Sequence, residues 1–325
     1  MDFRLTEDQQ GLIDAAKAFF DGENTVERMR AMAAGEEAAD LWPQFAELGL
    51  LGIMAPERAG GLEQQLVVMA GVAEAAGYAG LPDPLVNQAG IVVPLLVSME
   101  EFRRLEFVLS ATYKIGVISA HNPYVNDGVG LNYFIVTGTE NVLISRTFKK
   151  FESEIAESID PLRWLLKADV VAEHNILADA LGAVLTSAQL IGLSQRMVDM
   201  SVDYAKDRHQ FGKPIGSFQA VKHQLANVYT QIEFTRPIIH LAAIKGGAAV
   251  HNAKVAAIDT AMLAAETAIQ VHGGMGYTYE VDLHLFMKRA WALCGEWGDR
   301  NYHMKKLEDY VLNGDAQLGP GQTFN

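Results

Sequence analysis

Asp207-Arg-His-Gln-Phe-Gly-Lys-Pro-Ile-Gly-Ser-Phe-Gln219 is the stretch from which the architecture of this chain is read. Gly212, Pro214 and Gly216 interrupt any helical period there. On both sides the apolar spacing of a helix runs for many turns. Residues 178–206 precede the break and 218–246 follow it, and 250–272 and 280–312 continue the series. Each segment is apolar on one face and bounded by Gly, Pro or polar turns. Together they predict an antiparallel four-helix bundle over residues 176–325.

The break itself carries chemistry-bearing groups. Arg208 closes the first helix, and a guanidinium placed there is a rigid fork of donors suited to a pyrophosphate. Phe211 offers a flat apolar face beside it, and Gly212 lets backbone come close. A second stretch, Gln270-Val-His-Gly-Gly-Met-Gly-Tyr277, ends another helix. The Gln270 amide can both donate and accept, and the bare Gly273-Gly274 backbone can lie against a ligand. Taken alone, the same residues also read as a solvated helix end and two helix caps.

Upstream the texture differs. Residues 1–106 are helical in pattern: Thr6-x-x-Gln9 is a capping box, and Leu5, Ile13, Ala16, Phe19 and Phe20 recur at helical spacing. Leu41, Phe45, Leu48 and Leu51 repeat that spacing, Pro56 and Gly60-Gly61 mark a loop, and 64–78 reads as a buried helix capped by Gly77. Residues 107–175 hold short β-branched and aromatic runs, Ile115–Ser119, Tyr133–Thr137 and Val142–Ser145, separated by turn signals at Asn126-Asp-Gly128 and Gly138–Asn141. The expected fold is therefore mainly α with a small central β module: an N-terminal helical domain (1–106), a reduced β domain (107–175) and a C-terminal four-helix bundle (176–325). No Gly-x-Gly-x-x-Gly follows a strand and no Walker A sequence occurs, and Gly273-Gly-Met-Gly276 follows a helix.

Composition sets limits. With 325 residues, half of them hydrophobic, the chain can bury two or three packed layers. A net charge of −14 and a pI near 5.1 disfavour a nucleic-acid partner, so an anionic ligand must be met by local donors. The single cysteine, Cys294, makes no internal disulfide, and no metal-type Cys/His spacing occurs. The nine histidines form no clear site in the sequence; His209, His223 and His272 read as helix-face or cap residues, and the twelve methionines as core fillers. The opening Met1-Asp-Phe-Arg-Leu-Thr6 lacks a signal-peptide apolar region. No apolar run approaches the roughly 20 residues of a membrane span, and a cytoplasmic protein is expected.

The two C-terminal motifs, with Leu48-Gly-Leu-Leu-Gly-Ile-Met-Ala-Pro-Glu57 before them, resemble the acyl-CoA dehydrogenase family in order and spacing over essentially the whole chain. The resemblance implies the three-part fold above and a flavin cofactor, FAD, held partly by a neighbouring subunit. It implies that Arg208, Phe211, Gly212, Gln219, Gln270, Gly273 and Gly274 are the neighbour's contribution, reaching into a partner's site. The family's other half-site is a Thr-x-Pro-type motif, a Gly-Ser-rich loop and a Trp-containing strand in the β module. Residues 107–170 show neither element, and Trp164 lies outside a matching context.

The family's reaction needs a carboxylate base against a weakly acidic thioester α-proton. It takes that Glu from one of two places, which fall here on Trp297 and Gly182, with Ala183 where a polar substrate contact is common. None of these side chains accepts a proton. Glu296 is one residue from the first position, rotated by roughly 100° on a helix, and Asp179 is nearly one turn from the second. Both also read as solvated surface acids. The chain resembles the shortened, non-catalytic subunit of heterotetrameric acyl-CoA dehydrogenases. Its expected partner is a full-length catalytic subunit that binds most of the acyl-CoA, by analogy a CoA thioester of a sterol side chain. Two other readings stay open: a self-sufficient enzyme using Glu296, and a scaffold with no flavin role.

Overall fold

Helix α1 (Glu7–Glu23) begins where the capping box places it: Thr6 Oγ1 accepts from Gln9 N–H, and the Gln9 side chain accepts from Thr6 N–H. The computed structural model describes residues 5–122, 124–126, 131–139, 142–145, 155–167 and 170–314. Helices α2 (Val26–Ala33) and α3 (Trp42–Glu47) follow, and edge-to-face contacts among Phe19, Phe20, Trp42 and Phe45 join α1 to α3. Leu48 departs from the helical reading and is exposed. The helix stops at Glu47, and Gly49 at φ +72° redirects the chain so that Leu50 and Leu51 point inward instead.

Helix α4 (Leu66–Tyr78) is buried along most of its length. Gly77 lies inside it rather than capping it; the left-handed residue is Gly80, at φ +65°. Gly77 is small for another reason. A Cβ there would overlap the Gln189 backbone, as a Cβ at Gly192 would overlap the Glu74 carbonyl. The two glycines let α4 lie directly on the backbone of α8, described below. Helices α5 (Leu85–Asn87) and α6 (Val93–Ser98) are joined by a π-helical turn, Gln88–Val92, and α7 (Phe102–Leu109) closes this part of the chain.

Buried Gln88 stitches the helices to the sheet. Its amide nitrogen donates to Ile115 O (2.6 Å) and its carbonyl accepts from Ile115 N–H (3.0 Å). Strands β1 (Ile115–Ile118), β2 (Tyr124–Asn126), β3 (Tyr133–Thr137), β4 (Val142–Ser145), β5 (Ile155–Ala156) and β6 (Leu165–Lys167) form two three-stranded sheets, ordered β1-β3-β4 and β2-β6-β5. The β1/β3 pair is parallel and the others are antiparallel. The sequence signalled the first sheet. Strands of two or three residues are too short to show a period of two, so the second sheet had no signal. The turn expected at Asn126-Asp-Gly128 lies mostly outside the described residues, as do Glu140 and Asn141 of the next one.

Helix α8 (Ile176–Asp207), capped by Asn175, is the axis of the molecule and packs against α4 and against α10. It is long and apolar enough to cross a membrane, contrary to the sequence expectation, but 78% of its apolar window is buried in the fold, as in a core helix. The hairpin β7 (His209–Gln210) and β8 (Lys213–Pro214) leads to α9 (Gln219–Lys245) and α10 (Ala248–His272). The run 280–312, read as one helix, is two: α11 (Leu283–Cys294) and α12 (Arg300–Leu312). The break falls where Trp297 (φ +55°) and Gly298 (φ +100°) are left-handed, a conformation no α-helix continues through.

Candidate functional site

The two glycine-rich motifs meet at one end of the bundle. Tyr204 of α8 stacks on buried His272 of α10 with centroids 4.4 Å apart, and Ala205, Leu225 and Val271 form a small apolar cluster beneath them. This pins the last turn of α8 to that of α10 and places Arg208 and Gln270 on the same rim. Arg208, Phe211, Gly212, Gln219, Gln270, Gly273 and Gly274 are all exposed. Phe211 and Gly212 are the central residues of the β7–β8 hairpin, both with positive φ (+54° and +79°), as a type I′ turn requires. A phenylalanine in that conformation is strained, and here it holds a ring 91% exposed. A Cβ at Gly212, Gly273 or Gly274 would touch nothing within 4 Å. Gly212 and Gly273 (φ +61°) need glycine for backbone reasons; Gly274 does not. An apolar groove of about 480 Å³, lined by Val202, Ala205, Pro214, Gly216, Val221 and Leu225 among others, runs beside the rim.

A second locus lies in the interior. Trp297, 6% exposed, sits directly on Gly182, where a Cβ would overlap the indole atoms Cγ, Cδ2 and Cε2. The two positions on which the resemblance sets the family's base, on separate segments of the sequence, thus face one another. An indole and a bare backbone fill the space between them. Trp297 is anchored through its carbonyl, which accepts from His303 Nε2 at 3.0 Å. Burial, with Lys254 adding to it, pushes His303 down to about 3, so its ring is neutral near pH 7.

Glu296 is not a solvated surface acid. It is 7% exposed, ion-paired with Arg163 (2.5 Å) and hydrogen-bonded by Asn122 Nδ2 (2.9 Å). Arg163 and Asn122 carry no local sequence signal as its partners, because both lie far from it in the chain. Lys254 is also buried and donates to Leu293 O (3.0 Å) in the last turn of α11. Burial lowers its pKa to about 8.

The histidines do form a cluster. His121, His174, His251 and His303, with Asp179, Trp297 and Tyr302, line one cavity of about 290 Å³. Their sequence separation hid this. Asp179 therefore differs from the expected surface acid: its Oδ2 lies 2.9 Å from His174 Nδ1 and 3.5 Å from His121 Nε2.

Comparison with known proteins bears on the same segments. Residues 6–117 match the acyl-CoA dehydrogenase N-terminal domain, and residues 180–307 match the C-terminal domain of the same family. The acyl-CoA dehydrogenase IpdE2 of Mycobacterium tuberculosis is 31% identical over 273 residues, covering 81% of this chain and 84% of that protein. The chain belongs to the acyl-CoA dehydrogenase family. Among solved structures, the ChsE4-ChsE5 complex of Mycobacterium tuberculosis superposes with a TM-score of 0.84 at 20% identity, covering 97% of this chain and all of that one. A steroid acyl-CoA dehydrogenase variant, Tcur3481-Tcur3483, superposes with a TM-score of 0.82 at 24% identity, covering 96% and 99%. These likenesses establish the family's fold, mainly helical with a small sheet. The family's cofactor is a flavin, and the rim presents donors of the kind a dinucleotide needs: a guanidinium, an amide and open glycine backbone.

Proposed function

We propose that this chain is the non-catalytic subunit of a heterotetrameric, cytoplasmic acyl-CoA dehydrogenase, and that its outward rim completes the FAD site of a full-length catalytic partner. The observation that carries this reading is Trp297 against Gly182. Both base positions are occupied by groups that cannot take a proton, and the carboxylate next to Trp297 in the chain, Glu296, is turned to Arg163. Arg208 would offer its guanidinium to the pyrophosphate, Gln270 and Gln219 their amides, Phe211 an apolar face, and the bare backbone at Gly212, Gly273 and Gly274 a close approach. The bound flavin, on the partner, would accept the hydride from the substrate's β-carbon. Gly274 supports the reading because a Cβ there would meet nothing within 4 Å among the described residues and its φ is not left-handed. The three-part division 1–106, 107–175 and 176–325 belongs to it, with the reduced β domain unable to hold a flavin ring. By likeness to the steroid enzyme and to ChsE4-ChsE5, the substrate class is a CoA thioester carrying a bulky ring system.

The test is flavin stoichiometry in the complex purified with its partner. One flavin per two chains is expected, and one per chain overturns the proposal. Glu296→Gln in the same complex is expected to leave turnover unchanged. Its abolition would instead establish Glu296 as a base.

A further inference from the structure

The cavity beside Trp297 has no part in completing a flavin site, yet it gathers groups that a folded protein seldom leaves facing one another. We propose that His121, His174 and Asp179 form a binding site for a divalent transition-metal ion of the zinc class.

The geometry comes first. One ligand atom from each residue can be chosen so that all lie within 4.8 Å of one another, a spread that small side-chain rotations close onto a single ion. Among the described residues His121 Nε2 and Asp179 Oδ1 are shielded from solvent and make no hydrogen bond, Asp179 Oδ2 standing 3.5 Å from His121 Nε2, and the His121 side chain is only 5% exposed. Burying such atoms unpaired is costly, and a coordinated cation removes the cost at both together. His174 is the open side of the site, with 53% of its side chain exposed, so an ion has a path in.

The three residues are positioned independently of one another. His121 lies in the turn after β1, closed by the Ser119–Asn122 bridge. His174 lies on a segment tied to β3, where Glu173 N–H donates to Thr137 O and Asn175 Nδ2 donates to Gly138 O. Asp179 is in the first turn of α8. The Tyr302 ring stacks on His174 (16° between planes) and meets His121 edge-on at 4.6 Å, fixing both imidazoles. An ion here would clamp the sheet to the central helix.

The donor set selects the metal. Two imidazoles and one carboxylate suit zinc, cobalt or nickel rather than magnesium or calcium, and three protein ligands leave a coordination position for water. The cavity, about 290 Å³, has room for it. Neighbouring His251 keeps a nitrogen lone pair. His303 Nε2 donates to Trp297 O, so His303 Nδ1 accepts from His251 Nδ1 (2.8 Å) and His251 Nε2 is left unprotonated on the cavity wall. The opposing charge is Lys306, which is exposed and lies over the Tyr302 ring at 5.5 Å.

The experiment titrates the full chain, in complex with its partner, with CoCl2 and ZnCl2 after chelation. One Co²⁺ per copy of this subunit is expected, with the visible ligand-field bands of a four- or five-coordinate ion, displaced by Zn²⁺. His121→Ala and the isosteric Asp179→Asn are expected to weaken binding by about tenfold or more, and His223→Ala, on an exposed face of α9, to leave it unchanged. Asp179→Asn keeps the test open if His121→Ala fails to fold. Absence of ligand-field bands in the unmodified chain, or bands that persist at the same affinity in Asp179→Asn, would overturn the proposal.

Discussion

The rim at the end of α8 and the plug inside the bundle are built on opposite rules. At the rim, polar and aromatic groups are held away from the fold: Arg208 and Gln270 are exposed, Phe211 is strained outward, and Gly274 is bare with nothing near it. At the plug everything faces in. Trp297 fills the space against Gly182, Glu296 is satisfied by Arg163 and Asn122, and Lys254 caps α11 from within. Between Gly182 and Trp297 the interior is packed like a core, whereas at the rim polar groups and bare backbone face outward. The contrast gives each locus a distinct failure. On the proposed reading, damage to the plug is expected to show in stability and damage to the rim in the flavin retained by the complex.

The largest effect is expected at the plug. Trp297→Ala removes a large buried side chain beside a glycine that cannot fill the void, at a cost on the order of 4 kcal/mol. Denaturant midpoints of the purified complex measure it. Turnover per folded complex is expected to stay at the wild-type level. A stable variant with altered turnover would show that the locus is a working site and not a plug. Next in size is Arg208→Ala. Loss of a charge-assisted, bidentate donor pair costs about 3 kcal/mol, or roughly 100-fold in flavin affinity, while the melting temperature of the subunit is expected to hold, because the exposed Arg208 side chain makes no hydrogen bond or ion pair among the described residues and its bonds to Tyr204 and Ile215 are backbone ones that alanine keeps. Fluorescence of flavin released on dilution reads the change. Equal retention in variant and wild type would leave the rim without its proposed role.

The two loci were not equally legible in the sequence. The rim could be read residue by residue, because local rules produce it: glycines with positive φ, a helix end and a hairpin turn. The plug was half legible. Counting from two motifs placed Trp297 and Gly182 where a base should be, but no counting shows that one packs on the other. Glu296 and Asp179 were misjudged as surface acids because their partners, Arg163, Asn122, His121 and His174, arrive from distant segments. The histidine cluster was missed for the same reason. In the fold, the long helices followed their period, while β2, β5 and β6 were too short to show one. The break at Gly295–Asp299 was hidden because apolar spacing continues across it from α11 into α12.

Lys254 sharpens the contrast through pH. Burial lowers its pKa from 10.5 to about 8, so the folded state favours the neutral amine. Between about pH 8 and 10.5 the unfolded chain binds more protons than the folded one, and stability rises with pH there. The opposing group is Cys294, whose thiol burial pushes from 9 up to about 11, which lowers stability above pH 9. The clean window is thus pH 8 to 9, where a gain of about 1 kcal/mol is expected. Lys254→Met is expected to flatten it, and a wild-type profile already flat across that window would contradict the assignment.

The smallest effect separates rim from plug by sign. Phe211 occupies a left-handed position that disfavours a side chain by about 1 kcal/mol, and its ring is 91% exposed with only an edge contact to Phe218 at 6.1 Å. Among the described residues that edge contact is all that opposes the strain, so Phe211→Gly is expected to raise the thermal stability of the free subunit by up to about 1 kcal/mol. In the complex, on the proposed reading, the same change is expected to weaken flavin retention by removing an apolar face. A residue kept for the fold would show the two effects moving together. If Phe211→Gly lowers both subunit stability and flavin retention, the ring serves this chain's own structure and the outward reading of the rim fails at its most exposed point.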